Sequence, residues 1–133
     1  MTFYGNSLSE SDLWVVPARV VNVVDGDTID AVGDLGFFVS KELRLRLLGV
    51  DTSETYGVEE GSEEYAEGIE HKQFTADWLD AGDTDREYPF ELIVTKEKGV
   101  YGRWIGDVRR LSDDRSLVAD LLDEFGTAVE YRG

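Results

Sequence analysis

Leu43-Arg44-Leu45-Arg46-Leu47-Leu48-Gly49-Val50-Asp51-Thr52-Ser53-Glu54-Thr55 is the stretch on which the rest of the chain turns. Its first half alternates: Leu43, Leu45 and Leu47 point to one side of a strand, Arg44 and Arg46 to the other. That is a half-buried strand with two arginines on its polar face. Gly49 can relax the strand near its end. Asp51 and Glu54 follow closely, with the hydroxyls of Thr52, Ser53 and Thr55 around them. A guanidinium, two carboxylates and hard oxygen donors at a strand end suit a phosphate held beside a hard cation. A surface arginine strand followed by a polar turn accounts for this stretch equally well when it is read alone.

Working outward, Trp14–Val24 is rich in β-branched residues and reads as a strand whose start lies at an edge, because of Pro17. Asp25-Gly26-Asp27 is a tight hairpin signal, and Thr28–Val32 the returning strand. Gly33–Gly36 turns the chain again. A long strand, Phe37–Val50, bulged near Ser40–Glu42, then delivers Arg46 and Asp51. Thr52–Glu64 is an acidic loop. Tyr65–Leu79 is helical, with Ile69, Phe74, Trp78 and Leu79 near one face, and Ala81-Gly82-Asp83 ends it. Pro89–Thr95 is a strand, Lys96–Gly99 a turn and Val100–Val108 the paired strand. After a turn at Ser112–Arg115, Ser116 caps a short helix, Leu117–Phe125. Its inward residues are Leu117, Val118, Leu121 and Leu122, and Gly126 stands just past its end. Residues 1–13 read as a flexible N-terminal arm and 14–133 as a single domain. Three strands, a helix, two strands and a helix predict an α+β fold, a five-stranded OB-type β-barrel with two added helices.

The 133 residues suit one domain. With no cysteine, any metal must sit on oxygen or on His71, the only histidine. No apolar run approaches the roughly 18 residues of a membrane span. The first residues carry no secretory pattern, so the cytoplasm is the default expectation. Twenty-nine acidic against 13 basic residues give a net charge of −16, and only four of the basic residues are lysine. An evenly acidic, lysine-poor domain suggests adaptation to high salt, where dense ions screen self-repulsion. An ordinary acidic protein and a nucleic-acid mimic are the alternatives. There is no basic patch, so a phosphate ligand would have to be held by a metal and a few placed arginines.

If the second and third strands pair, Asp27 converges with Asp51 and Glu54. Two carboxylates, a backbone carbonyl and waters make a calcium site, though Asp25-Gly26-Asp27 is equally a plain turn. Further on, Gly102 permits a close backbone approach, and Arg103 is either a second phosphate clamp or a surface arginine. Taken together, Val24-Asp25-Gly26-Asp27-Thr28, then Arg46 through Thr55, then Tyr101-Gly102-Arg103 resemble the thermonuclease, or staphylococcal nuclease-like, family in order and spacing. Weaker similarity extends over residues 14–126.

The resemblance implies a calcium-dependent, sugar-nonspecific endonuclease. Such an enzyme hydrolyses DNA and RNA to 3′-phosphate and 5′-hydroxyl ends, here as a monomer without membrane association. It makes Asp27 and Asp51 the calcium carboxylates and Thr52 a ligand through its backbone oxygen. Arg46 and Arg103 would hold the scissile phosphate, and Glu54 would deprotonate the attacking water. The family's usual proline is Ser53 here, and the basic residue before its Tyr-Gly-Arg motif is Val100. This sequence ends at Gly133, where members continue into a third helix; either it is a short form or residues 1–13 take that space. Tyr131 aligns only loosely with a nucleotide-stacking tyrosine. His71 reads as an ordinary surface histidine, and Trp14, Trp78 and Trp104 as core or barrel-edge packing. Asp25 either backs the metal or simply makes the turn. From a different class, a non-catalytic nucleic-acid- or protein-binding module on the same barrel is the alternative function.

Overall fold

The alternation read from the sequence becomes strand pairing in the computed structural model, which describes residues 13–55, 57–96 and 102–131 and the backbone of 2–3 and 6–7. Strand β1 (Leu13–Asp25) is long enough to serve two neighbours. Its first half pairs antiparallel with β4 (Phe90–Thr95), its second half with β2 (Thr28–Asp34). Ala18 pairs with both neighbours, and register shifts between Val20 and Asn22 and between Val23 and Asp25 interrupt the ladder of the second half. β2 pairs along its whole length with β3 (Ser40–Leu47), Thr28 opposite Arg46. β4 pairs antiparallel with β5 (Trp104–Arg110), and β5 closes the circuit by running parallel to β3, with Leu45 opposite Trp104 and Arg46 opposite Ile105. The result is a closed five-stranded mixed barrel in the order 1-2-3-5-4, an OB-type barrel without free edges. At Gly106 a Cβ would lie 2.0 Å from the Ile93 carbonyl oxygen, so only glycine lets β4 and β5 meet there.

The inward-facing residues of the strands fill the barrel: Ala18, Ile29, Ala31, Leu45, Leu47, Leu92, Val94 and Val108 are all buried. Two helices cover it. Helix α1 (Glu63–Gly82) starts at Ser62, whose Oγ accepts from the Tyr65 N–H at 3.1 Å. The two-residue strand β6 (Arg115–Ser116) leads into α2 (Leu117–Phe125), where Ser116 Oγ accepts from the Ala119 N–H, a cap worth about 1 kcal/mol. Asp107 of β5 ties this helix to the barrel. It accepts from the Ser116 hydroxyl at 2.5 Å and from the N–H groups of Val118 and Val108. Burial pushes its carboxyl above the usual range, against those hydrogen bonds. Leu117, Val118 and Leu121 are buried as the pattern predicts, with Leu122 half-buried. Among the described residues, no helix is long and apolar enough to cross a membrane.

Several boundaries differ from the expectation. Leu13, assigned to the arm, is the buried first residue of β1 and pairs with Thr95; the rest of that arm forms only a two-residue ladder, Thr2–Phe3 against Asn6–Ser7, within the described backbone. The turn expected at Lys96–Gly99 and the residues Val100 and Tyr101 lie, apart from Lys96, outside the described residues. The third strand begins at Ser40 rather than Phe37 and ends at Leu47 rather than Val50. Phe37 and Phe38 instead form the centre of a tight turn, closed by the Val39 N–H donating to the Gly36 carbonyl at 2.9 Å. Their φ angles of 54° and 60° make it a type I′ turn, a conformation normally given to Asn-Gly. A bulky side chain costs about 1–2 kcal/mol at such a position.

Candidate active site

The β1–β2 turn supplies Asp27, and its side chain reaches across to the loop that follows β3. Asp27 Oδ2 accepts from the Thr52 N–H at 3.0 Å, and Oδ1 from the Thr28 hydroxyl at 2.8 Å. Arg46 lies directly across the ladder from Thr28. Its Nη1 donates to the carbonyls of Leu47 and Val50, both at 2.6 Å. Those two oxygens face one nitrogen because Gly49, at φ 85°, reverses the chain between them. Arg46 Nη2 then sits between two acids, 3.4 Å from Asp27 Oδ2 and 3.3 Å from Asp51 Oδ1. Two carboxylates from distant parts of the chain therefore converge on one positively charged nitrogen. Asp27 is buried, whereas the Asp51 side chain is 63% exposed, so the pair opens to water on one side. The Thr52 hydroxyl is buried without a hydrogen-bond partner among the described residues.

One stripe of α1 fixes both loops. The Thr75 hydroxyl donates to the Gly26 carbonyl at 2.6 Å and so holds the Asp25-Gly26-Asp27 turn. Ser53 donates its N–H to His71 Nδ1 at 3.0 Å, and its hydroxyl donates to Glu67 at 3.1 Å, which holds the Asp51 loop. Gly68 lets that loop lie against the helix: a Cβ there would stand 2.7 Å from the Glu54 carbonyl oxygen. A Cβ on Gly26 would strike both His71 and Thr52, at 2.9 Å each. On the other side, the Asp51 N–H donates to the Val129 carbonyl and the Tyr131 N–H to the Gly49 carbonyl.

The structure overturns the surface reading of His71. The residue is 2% exposed, with its ring edge-on to Phe125 at 4.5 Å. Burial lowers its pKa, opposed by the charges of Glu67, Glu70 and Asp27, and the neutral ring offers Nδ1 as an acceptor. Ile69, expected on the packed face of α1, is 44% exposed. The packed face is Gly68, His71, Thr75, Trp78, Leu79 and Gly82, spaced by three and four residues. That spacing was the available signal, hidden because four of the six residues in the stripe are small or polar. Of the tryptophans, Trp78 is buried, while Trp14 and Trp104 lie 5.9 Å apart at the barrel mouth with Trp14 47% exposed.

Of the residues singled out by sequence, Asp27, Arg46, Asp51 and Thr52 come together. Glu54 does not join them in direct contact; it is exposed and lines a surface cleft with Asp25, Arg44, Thr55 and Lys72. Asp25 lies between the two groups. Its carboxyl is raised above the ordinary range by burial first, then by the charges of Asp27 and Glu54, with the Thr55 N–H opposing. Arg103 is half-buried, two residues ahead of Ile105, the partner of Arg46 across the parallel ladder. Tyr131 is 53% exposed.

Calcium can be set against this donor set. Among the described residues, no group of three or more carboxylate, imidazole or thiolate side chains gathers at one point. The pair Asp27 and Asp51 offers the hard oxygen atoms that a calcium ion takes, and in this structure Arg46 Nη2 stands between them. No family model and no curated protein matches the sequence.

Proposed function

We propose that this chain is a calcium-dependent, sugar-nonspecific phosphodiesterase of the staphylococcal nuclease-like type. It would cleave DNA and RNA to 3′-phosphate and 5′-hydroxyl ends. The observation that carries this reading is the sharing of Arg46 Nη2 between Asp27 and Asp51, at 3.4 and 3.3 Å. Asp27, Asp51 and the backbone oxygen of Thr52 would hold calcium, which when bound neutralises a phosphate oxygen as a Lewis acid.

The chain's own groups do the rest. Two backbone carbonyls fix the Arg46 guanidinium at the carboxylate pair. A phosphate brought there meets a cation whose ordering has already been done by the fold, with Nη1 committed to those carbonyls and Nη2 at the carboxylates. Arg103, immediately ahead of the strand parallel to β3, supplies a second cation for the charge that grows on phosphorus. Glu54, exposed to solvent on the same loop as Asp51, takes the proton of the attacking water. The surface charge of −16 supports the further reading that the domain works in concentrated salt, where screening lets a polyanionic substrate approach.

One observation favours the second reading, a binding module without catalysis. Glu54 lines a cleft with Arg44 and Lys72 rather than facing Arg46, which leaves the proposed base apart from the proposed phosphate site. Incubation of single-stranded DNA and of RNA in roughly molar salt, with calcium or with chelator, separates the two. Cleavage that needs calcium is expected. Undiminished cleavage in chelator removes the metal from the mechanism, and binding without cleavage at every salt concentration leaves the module.

A further inference from the structure

The turn between β2 and β3 holds two phenylalanines in the left-handed region and covers neither: Phe37 is 99% and Phe38 110% exposed, with Leu35 and Val39 half exposed beside them. Asn-Gly would make the same turn without strain, and outliers of this kind persist where something other than folding uses them. The turn has no part in the site described above. It lies at the opposite end of the β2–β3 hairpin from Asp27 and Asp51, on the order of 20 Å away along the strands.

At that same end the barrel mouth forms an apolar groove of about 490 Å³, lined chiefly by Trp14, Val16, Leu35, Leu43, Val94 and Trp104. An apolar cavity of about 150 Å³ already takes up benzene, so this groove has room for two phenyl rings. The chain's own phenylalanines, fully exposed, do not fill it.

We propose that a second copy of the chain does: Phe37 and Phe38 of each copy seat in the groove of the other across a twofold axis. Knob and groove are on one chain and adjoin, since Leu35 belongs to both. Such a contact is isologous and closes at two subunits. An aromatic side chain buries about 150–250 Å². Four rings and the walls they cover therefore reach the roughly 1,200–2,000 Å² of a stable interface. Charge selects against anionic occupants other than those that meet through uncharged surface: a domain at −16 repels polyanions and anionic bilayers. A second copy is repelled too, but through charges outside the contact, because residues 35–39 carry none. Asp34 and Lys41 stand at the groove rim, where opposite charges of the two copies can pair across the axis. Association therefore strengthens with salt.

Sedimentation equilibrium in about 2 M KCl, from micromolar to millimolar chain, tests this. The wild type should pass from monomer to dimer. The double substitution Phe37→Asn/Phe38→Gly should weaken association roughly tenfold or more, and its monomer should melt several degrees higher because the turn is relieved. That rise also proves the variant folded. The native chain has no cysteine, so Trp14→Cys/Phe38→Cys should give disulfide-linked dimers under mild oxidation. A wild type that stays monomeric at millimolar concentration overturns the proposal. So does a variant that dimerises as before, or a disulfide that forms only within one chain. Flotation of the wild type, but not the variant, with neutral phospholipid vesicles in the absence of dimer assigns the turn to a bilayer instead, and equally overturns it.

Discussion

Arg46 carries most of the arrangement at the scale of single residues, because two carbonyls at 2.6 Å leave its guanidinium little freedom. The acids around it have separable duties. Asp51 is exposed, and among the described residues its side chain is hydrogen-bonded through Arg46 alone; Asp27 also latches the Thr52 N–H. Asp51→Asn should therefore weaken calcium binding with little effect on the fold, and raise the calcium concentration needed for activity. Glu54→Gln keeps size and one hydrogen-bond acceptor but cannot take a proton, so turnover should fall by a factor on the order of 10²–10⁴ while calcium affinity holds. Calorimetric calcium titration paired with turnover on the same samples distinguishes the two. A Glu54→Gln chain that cleaves nearly as well as the wild type ends the proposed base assignment. The meeting of Asp27, Arg46 and Asp51 was legible because acids, arginines and glycines at a strand end stand out by type and spacing; the expected convergence of Glu54 was not found. His71 was not legible: nothing in its own polar neighbours Glu70 and Lys72 tells that it points into the molecule to accept from Ser53.

Among elements, α1 is the one whose role the pattern misstates. A helix is usually read by its large apolar residues, and here the tightest contacts are made by residues that barely register as hydrophobic. Gly68 illustrates this. Alanine at an ordinary helix position gains about 1 kcal/mol over glycine. At Gly68 the added carbon would stand 2.7 Å from the Glu54 carbonyl oxygen and 2.9 Å from its carbon, both backbone atoms that cannot swing aside. Overpacking of this kind costs about 1–3 kcal/mol, so the steric term wins. Gly68→Ala should lower the melting temperature and, by displacing the loop, weaken calcium binding together with it. A melting temperature that rises as helix propensity alone demands would mean that helix and loop do not touch. By contrast, α2 was legible to the residue, since its Ser116 cap, its apolar stripe and Gly126 at φ 57° all follow local rules. The strands were legible in order, less so at their ends. Phe37 and Phe38 read as strand because aromatic residues favour strands, and the tight turn they occupy contradicts that propensity.

For the whole molecule, closure of β3 on β5 joins the two halves of the chain, and the helices seal what the strands leave open. Strand order followed from counting elements; the parallel closure did not, because pairing between residues nearly sixty positions apart leaves no local trace in sequence. Net charge acts at this scale too. Self-repulsion among 29 acids is screened within about 3 Å in 1 M salt, so thermal unfolding in concentrated KCl should occur at a higher temperature than in dilute buffer. An unchanged or earlier transition would count against salt adaptation and leave the proposed chemistry untouched.

The loop that bears Asp51 is pinned from behind by Val129 and Tyr131. These residues emerge from synthesis some eighty positions after it. Val129 is fully buried, so the pin is part of the core rather than a surface tether. A nascent chain that already holds both acids, the arginine and α1 thus lacks the backing that sets the loop, and it acquires the loop's set form only when Val129 and Tyr131 dock. Any phosphodiesterase activity would be withheld from the growing polypeptide, and from the message beside it, until then.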